Sequence, residues 1–246
     1  MAKFARKRLT KRRSKKDRDR LQRWLLLLVA ILLVVYLGGA VLAPVLMKAG
    51  HTTQARRIYK AYQPACHQLA YRSFFLYGEQ AVYPRDLAGV KGLKSYEAVT
   101  GLSAEDIESA KNFIGNEQLG YKTALCQRDL AIFGSILLFI IVYAIFEKRI
   151  KPLPWWLWIL LAVVPIGLDG FWQVLSQLDI AFLAWLPARE STPFLRVLTG
   201  ALFGIFSAWF IILSFRGEEE PALYATEIIP DRSNLAEEAE QSDEND

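Results

Sequence analysis

Four long apolar runs constrain this chain more than anything else in it. Residues 24–47 are apolar without interruption, and residues 155–178 and 194–215 also reach the about 20 residues that a helix needs to cross a bilayer. Residues 129–146 are shorter and open on Asp129. A core helix of a soluble protein could mimic that shorter run, but the other three are too long for that reading. The expected fold is an all-α integral membrane protein with four transmembrane helices and a partly helical extracytoplasmic cap between the first and second. The expected partition is a basic cytoplasmic tail over 1–23, helices over 24–47, 129–146, 155–178 and 194–215, the cap over 48–128, and an acidic disordered cytoplasmic tail over 216–246.

Orientation follows from the basic residues that flank the spans. The first 23 residues hold twelve Lys or Arg against Asp17 and Asp19, a net charge of +10. The connection 147–154 carries Lys148, Arg149 and Lys151, whereas the connection 179–193 has only Arg189 as a basic residue. Both termini are therefore expected in the cytoplasm of a multi-pass protein of the cell membrane. The connection 48–128 holds eleven basic residues, but at about 80 residues it is longer than the loops to which the rule applies. The first run is expected to be a retained anchor. A signal peptide has an apolar core of about 7–15 residues, and a small-residue cleavage site ending at Ala43 would meet Pro44. Trp24, Trp155, Trp156 and Trp158 suit the interfacial belt where aromatic residues collect.

The two tails carry opposite charge. Residues 216–246 hold eleven Asp or Glu against Arg216 and Arg232, a net charge of −9. Neither tail has the apolar surface to fold alone. The basic tail is expected to set topology and to touch anionic lipid headgroups, at about 1 kcal/mol per basic residue near the surface. It has no folded nucleic-acid-binding module behind it, so no nucleic acid is expected as a partner. In the cap, residues 53–68 read as a helix bent near Pro64, and Ser103 reads as the N-cap of a second helix that stops near Gly115-Asn116. Residues 83–101, with Pro84, Gly89, Gly92 and Gly101, read as loop. The cap is expected to lack an independent core.

The charged side chains of the last three runs fall at one membrane end, together with amide and hydroxyl neighbours: Arg128 and Asp129, Asp169 and Gln173, and Arg196 with Thr199. Charges in hydrocarbon are costly, so they are kept where they pair or face a polar cavity. Asp169 and Gln173 are four apart and share a helix face, and Arg196 and Thr199 are three apart with Gly200 alongside. Pro165, Gly167 and Gly170 interrupt the third run around Asp169 and are expected to free backbone carbonyls there. One shared polar pocket is the economical reading, with Cys66, His67, Gln68, Arg72, Ser73 and Cys126 joining it from the cap. The bland alternative is an Asp169–Arg196 or Asp129–Arg196 ion pair that pins helices together.

Cys66 and Cys126 are the only cysteines. On an outward face they are first a disulfide candidate, worth about 3–5 kcal/mol on the chain-entropy model. The competing reading is a divalent transition metal held among Cys66, His67, Cys126, Asp129 and Asp169, whose thiolate, imidazole and carboxylate groups are suitable ligands. The spacing matches no metal signature: there is no C-x-x-C pair, and His67 adjoins Cys66. His67 alone reads more readily as a hydrogen-bonded structural residue, and His51 as an interfacial one.

The ordered set Cys66-His67-Gln68 with Arg72-Ser73-Phe74, then Cys126-Gln127-Arg128-Asp129, then Gly167-Leu168-Asp169-Gly170 with Gln173, and finally Arg196 with Thr199-Gly200 resembles a bacterial and archaeal membrane-protein family, that of the domain of unknown function 2085. The resemblance covers residues 62–215 and leaves out both tails and the first span. Many members have two cysteines flanking an arginine in the second element. Here Asp129 stands where the last cysteine would be, a departure from an all-cysteine metal or redox site. The resemblance implies no activity; it implies that these polar positions belong together.

Several function classes find no support in the residues. No Gly-rich phosphate loop follows a strand, no Ser nucleophile elbow occurs, and no second histidine near a carboxylate motif suggests a metalloprotease. A transporter would need polar groups along the whole path, yet residues 155–164 are wholly apolar, and the fourth run beyond Gly204 holds only Ser207 and Ser214. Two readings remain beside that of a transporter component, against which the apolar stretch argues only as a pore through one chain. One is an outward-facing pocket for a metal, cofactor or small anionic ligand, with His67 or a carboxylate as acid-base group and Arg128 or Arg196 binding an anion. The other is a structural or assembly subunit.

Overall fold

The computed structural model describes residues 2–147, 149–176 and 188–215. Helix α1 (Ala2–Lys48) runs without a break through the basic tail and the first apolar run. The basic tail is helical here as an extension of the first span, not as a unit that folds alone. Lys, Arg, Leu and Ala are good helix formers, and extending an existing helix avoids the costly first turn. Helices α5 (Gln127–Phe146) and α8 (Pro193–Ser214) follow the second and fourth runs. The third run forms one rod made of α6 (Trp155–Trp158), a π-helical turn (Ile159–Val163) and α7 (Val164–Leu175). Pro165 lacks an N–H, and its ring crowds the carbonyl four residues back, Leu161. The π turn that contains Leu161 accommodates that defect without ending the helix. Asp17–Lys48, Gln127–Phe146, Trp155–Leu175 and Pro193–Ser214 are each long and apolar enough to cross a membrane. The acidic tail 216–246 and the last residues expected in the third span lie outside the described residues.

At one end of the bundle α1, α5 and α8 share a core of Phe139, Ile140, Tyr143, Ala208, Ile212 and Leu213, with Leu26, Ala30 and Leu33 against it. Along the α5–α8 contact, Gly200 and Gly204 make the close approach. A Cβ on Gly200 would stand 2.7 Å from the Arg128 carbonyl oxygen, and one on Gly204 would collide with Ser135 and Ile132. Small residues four apart let membrane helices meet backbone to backbone.

The segment between α1 and α5 contains a sheet, so the all-α expectation is corrected. Helix α2 (Thr52–Tyr62) ends before Pro64. Strands β1 (Ser73–Leu76), β2 (Gly115–Asn116) and β3 (Gly120–Cys126) form an antiparallel sheet in the order β1-β3-β2. Its register pairs Ser73 with Cys126 and Phe75 with Lys122. Gly115-Asn116, expected to stop a helix, instead opens the β2–β3 hairpin, where Asn116 Oδ1 accepts from the Gln118 and Leu119 amides. Short helices α3 (Tyr96–Thr100) and α4 (Ile107–Asn112) lie between β1 and β2, and the N-cap of α4 is Asp106 rather than Ser103.

The segment also has a core of its own. Leu69, Tyr71, Phe75, Tyr83, Tyr96 and Leu119 are buried together with small alanines, and Phe113 packs against them. Aromatic side chains bury a large area each, which is how so short a segment sustains a core. A second cluster, Ala40, Ala43, Ala55, Tyr59, Cys66, Ala124 and Leu125, joins it to α1. Because β3 runs straight into α5, the sheet is tied to the end of the bundle where α5 and α8 begin.

Candidate functional site

A short loop, residues 188–192, gathers the embedded polar groups. Glu190 lies there with its side chain wholly buried. Its carboxylate accepts from Arg72 Nε at 3.0 Å and Nη2 at 3.3 Å, a two-point fork. It also accepts from Gln173 Nε2 at 2.9 Å, from Arg85 Nη1 at 3.5 Å and from Arg196 Nη2. Arg196 donates as well to the Tyr71 carbonyl at 3.2 Å. The guanidinium groups of Arg72 and Arg85 lie over the Tyr71 ring, 5.5 and 5.6 Å from its centroid. Arg85 also borders a surface cleft of about 280 Å³ in the segment above the spans.

One residue further along the same loop, Ser191 Oγ donates to Asp169 at 2.6 Å. Arg128 Nη2 donates to the same carboxylate oxygen at 2.5 Å, and Arg189 Nη2 sits 3.7 Å from the other, an ion-pair contact too long for a hydrogen bond. Among the described residues, Asp169 Oδ1 and Arg128 Nε are buried without a hydrogen-bond partner. Among the described residues, five arginines therefore converge on Glu190 and Asp169, and Arg85 also reaches Glu97 at 3.9 Å. The N-termini of α5 and α8 begin at the same place and add partial positive charge.

A second constellation sits at the start of α5. Cys126 is the N-cap, and its sulfur accepts from the Asp129 amide at 3.4 Å. The Cys66 sulfur accepts from the Cys126 amide at 3.3 Å. One ligand atom each from Cys66, Cys126 and Asp129 lies within 4.8 Å of the others. The hydrogen bond from the Cys126 thiol holds the Cys66 pKa below the ordinary thiol range. Cys126 is pushed up by the same hydrogen bond and by burial. Both cysteines are free, so the disulfide candidate finds no support.

Two centres therefore stand where one pocket was expected. Arg72, Arg128, Asp169, Gln173 and Arg196 meet in the arginine-carboxylate network, and Cys66, Cys126 and Asp129 form the thiol group. Asp169 belongs to the first centre and is not among the ligand atoms that gather at the thiols. Arg196 pairs with Glu190 rather than with Asp169 or Asp129, and Asp169 pairs with Arg128. His67 is exposed. Gln68, Ser73 and Thr199 are spent on nearby backbone: Gln68 Nε2 donates to Tyr59 O at 2.8 Å, Ser73 Oγ to Leu69 O at 3.0 Å, and Thr199 Oγ1 to Leu195 O at 2.7 Å.

Sequence reasoning missed Glu190, Ser191, Tyr71 and Arg85, and it read Arg189 only as a topology charge. Nothing local in the sequence marks Glu190 or Arg85. Lys122 was missed as well. Its side chain is fully buried, and its Nζ donates to the Gln68 and Lys111 carbonyls at 2.6 Å each. Burial pushes its pKa down to about 7.

No solved structure matches this chain. An uncharacterized protein of Methanocaldococcus jannaschii, MJ1492, is 23% identical over 197 residues, a match covering 77% of this chain and 91% of that protein. Residues 116–210, which include Cys126, Arg128, Asp129, Asp169, Gln173, Glu190, Arg196 and Thr199, match the model of the family described as predicted membrane protein (DUF2085). With its four apolar helices, the chain resembles this family of membrane proteins of unknown function.

Proposed function

We propose that this membrane protein binds a small oxyanion, a carboxylate or phosphate-like group, in the arginine network where the β-sheet segment meets the spans. The observation that carries this reading is the convergence of guanidinium groups: among the described residues Arg72, Arg85 and Arg196 meet on Glu190, and Arg128 and Arg189 on Asp169. A guanidinium fork matches the oxygens of carboxylates and phosphates. In this reading the sheet segment caps the bundle on the extracytoplasmic side, both termini are cytoplasmic, and the basic N-terminal tail touches anionic headgroups. The polar groups sit at one end of the spans, which favours a one-sided site over a pore.

A second reading is supported by how fully Glu190 is engaged: the network pins helices and cap, and takes no ligand. Thermal unfolding of the detergent-purified full chain separates the two. A ligand that binds the native state raises the midpoint. Phosphate, sulfate or a short carboxylate is expected to raise it above chloride at equal ionic strength, and Arg128→Gln is expected to lose that response. No rise with any oxyanion establishes the pinning reading instead.

A further inference from the structure

We propose that Cys66, Cys126 and Asp129 form a site for a soft divalent transition ion, zinc in the first instance, with a fourth coordination position left to solvent or a ligand. The ligand atoms already lie within 4.8 Å of one another. Two thiolates on one tetrahedral ion, each about 2.3 Å from it, stand roughly 3.8 Å apart, so small side-chain rotations complete the site. Cys126 and Asp129 are the N-cap and third residue of α5, so Cys-x-x-Asp presents two ligands from one helical turn, as a Cys-x-x-Cys half-site does. Cys66 comes from the link after α2 and supplies the third.

Each sulfur accepts a backbone amide, Cys126 N–H on Cys66 and Asp129 N–H on Cys126. Such bonds, together with the N-terminus of α5, stabilise thiolates. They also hold the sulfurs in place before an ion arrives, in the way that outer-shell hydrogen bonds orient ligands. Binding displaces the thiol protons and forms two metal–sulfur bonds and one metal–oxygen bond, with no change of oxidation state. Three protein ligands with a position to spare is the arrangement of zinc sites that bind a further group. The ion would also clamp the link after α2 to the first turn of α5. None of this depends on the oxyanion reading, since the three ligands are distinct from the arginine network.

The test is cobalt(II) titration of the full-length protein, purified in detergent under reducing, metal-free conditions. One cobalt per chain is expected, with a thiolate-to-cobalt charge-transfer band and the visible bands of four-coordinate cobalt, all lost on adding one equivalent of zinc. Cys66→Ser and Cys126→Ser should each lose the charge-transfer band, and Asp129→Asn should keep it at weaker affinity. Because a cysteine variant can fail to fold, Asp129→Cys is the decisive companion: a third thiolate should intensify the band. The proposal is overturned if the wild-type protein, with two titratable thiols, gives no such band. It is equally overturned if the two sulfurs are recovered as a disulfide that excludes cobalt, or if Asp129→Cys leaves the spectrum unchanged.

Discussion

Glu190 takes hydrogen bonds from Arg72, Arg85, Arg196 and Gln173 while fully buried, so its charge offsets three guanidinium groups at once. Glu190→Gln keeps the shape and removes the charge. Breaking a buried pair from one side typically costs about 3–5 kcal/mol, somewhat less here because Arg72 retains partial access to water. A clearly lowered unfolding midpoint in detergent is the expected result, and an unchanged one would mean that the arginines are compensated from elsewhere. Lys122 gives a pH prediction. Its folded pKa of about 7 lies below the ordinary 10.5, so between those values the unfolded chain takes up a proton that the folded chain does not. Stability should therefore rise with pH across that window, by up to about 1.4 kcal/mol per unit for this one group, and be flat below it. Unfolding midpoints measured from pH 6.5 to pH 9 should show this slope in the wild type and lose it in Lys122→Met. At this scale the sequence was legible only where a charge interrupts an apolar run, as Asp169 and Arg196 do. Glu190, in the polar stretch Arg189-Glu190-Ser191, and Arg85, behind Pro84, look like ordinary loop charges until the fold buries them.

The contact between α5 and α8 depends on hydrogens where other residues have side chains. A Cβ at Gly200 would stand 2.7 Å from the Arg128 carbonyl oxygen, on the same turn of α5 that presents Arg128 to Asp169. Gly200→Val should force the helices apart and lower stability by about 1–3 kcal/mol, the usual cost of overpacking. Gly167 is helical and a Cβ there meets nothing within 4 Å, so Gly167→Ala is the matched control and should be neutral or mildly stabilising. Equal effects at the two positions, in parallel thermal unfolding, would exclude the close approach as the cause. All four spans were readable as elements, because an apolar run of sufficient length has one outcome in lipid. The sheet was not. In β3, Lys122, Thr123, Ala124 and Leu125 are all buried, so the strand lacks the alternation that signals one covered face. Gly115-Asn116 would also serve equally well to end a helix or to start a hairpin.

For the molecule as a whole, the sequence placed the embedded polar residues at one end of the spans. It did not reveal that they divide into an arginine-carboxylate network and a thiol group, because that division depends on where the sheet segment sets Cys66, Arg72 and Arg85. Which face of the membrane this end occupies decides what can reach either centre. The twelve basic residues before the first span argue for a cytoplasmic N-terminus. The first and second spans would then expose residues 49–126 outside. Labelling with a membrane-impermeant maleimide tests this directly in a Cys66→Ser, Cys126→Ser background. Thr53→Cys, at an exposed position of α2, should label in intact cells, and Ser14→Cys, in the basic tail, only after permeabilisation. The reverse pattern would place both centres toward the cytoplasm. Their candidate ligands would then be cytoplasmic ions and metabolites, and the cysteines would be kept reduced by the compartment rather than by a bound metal.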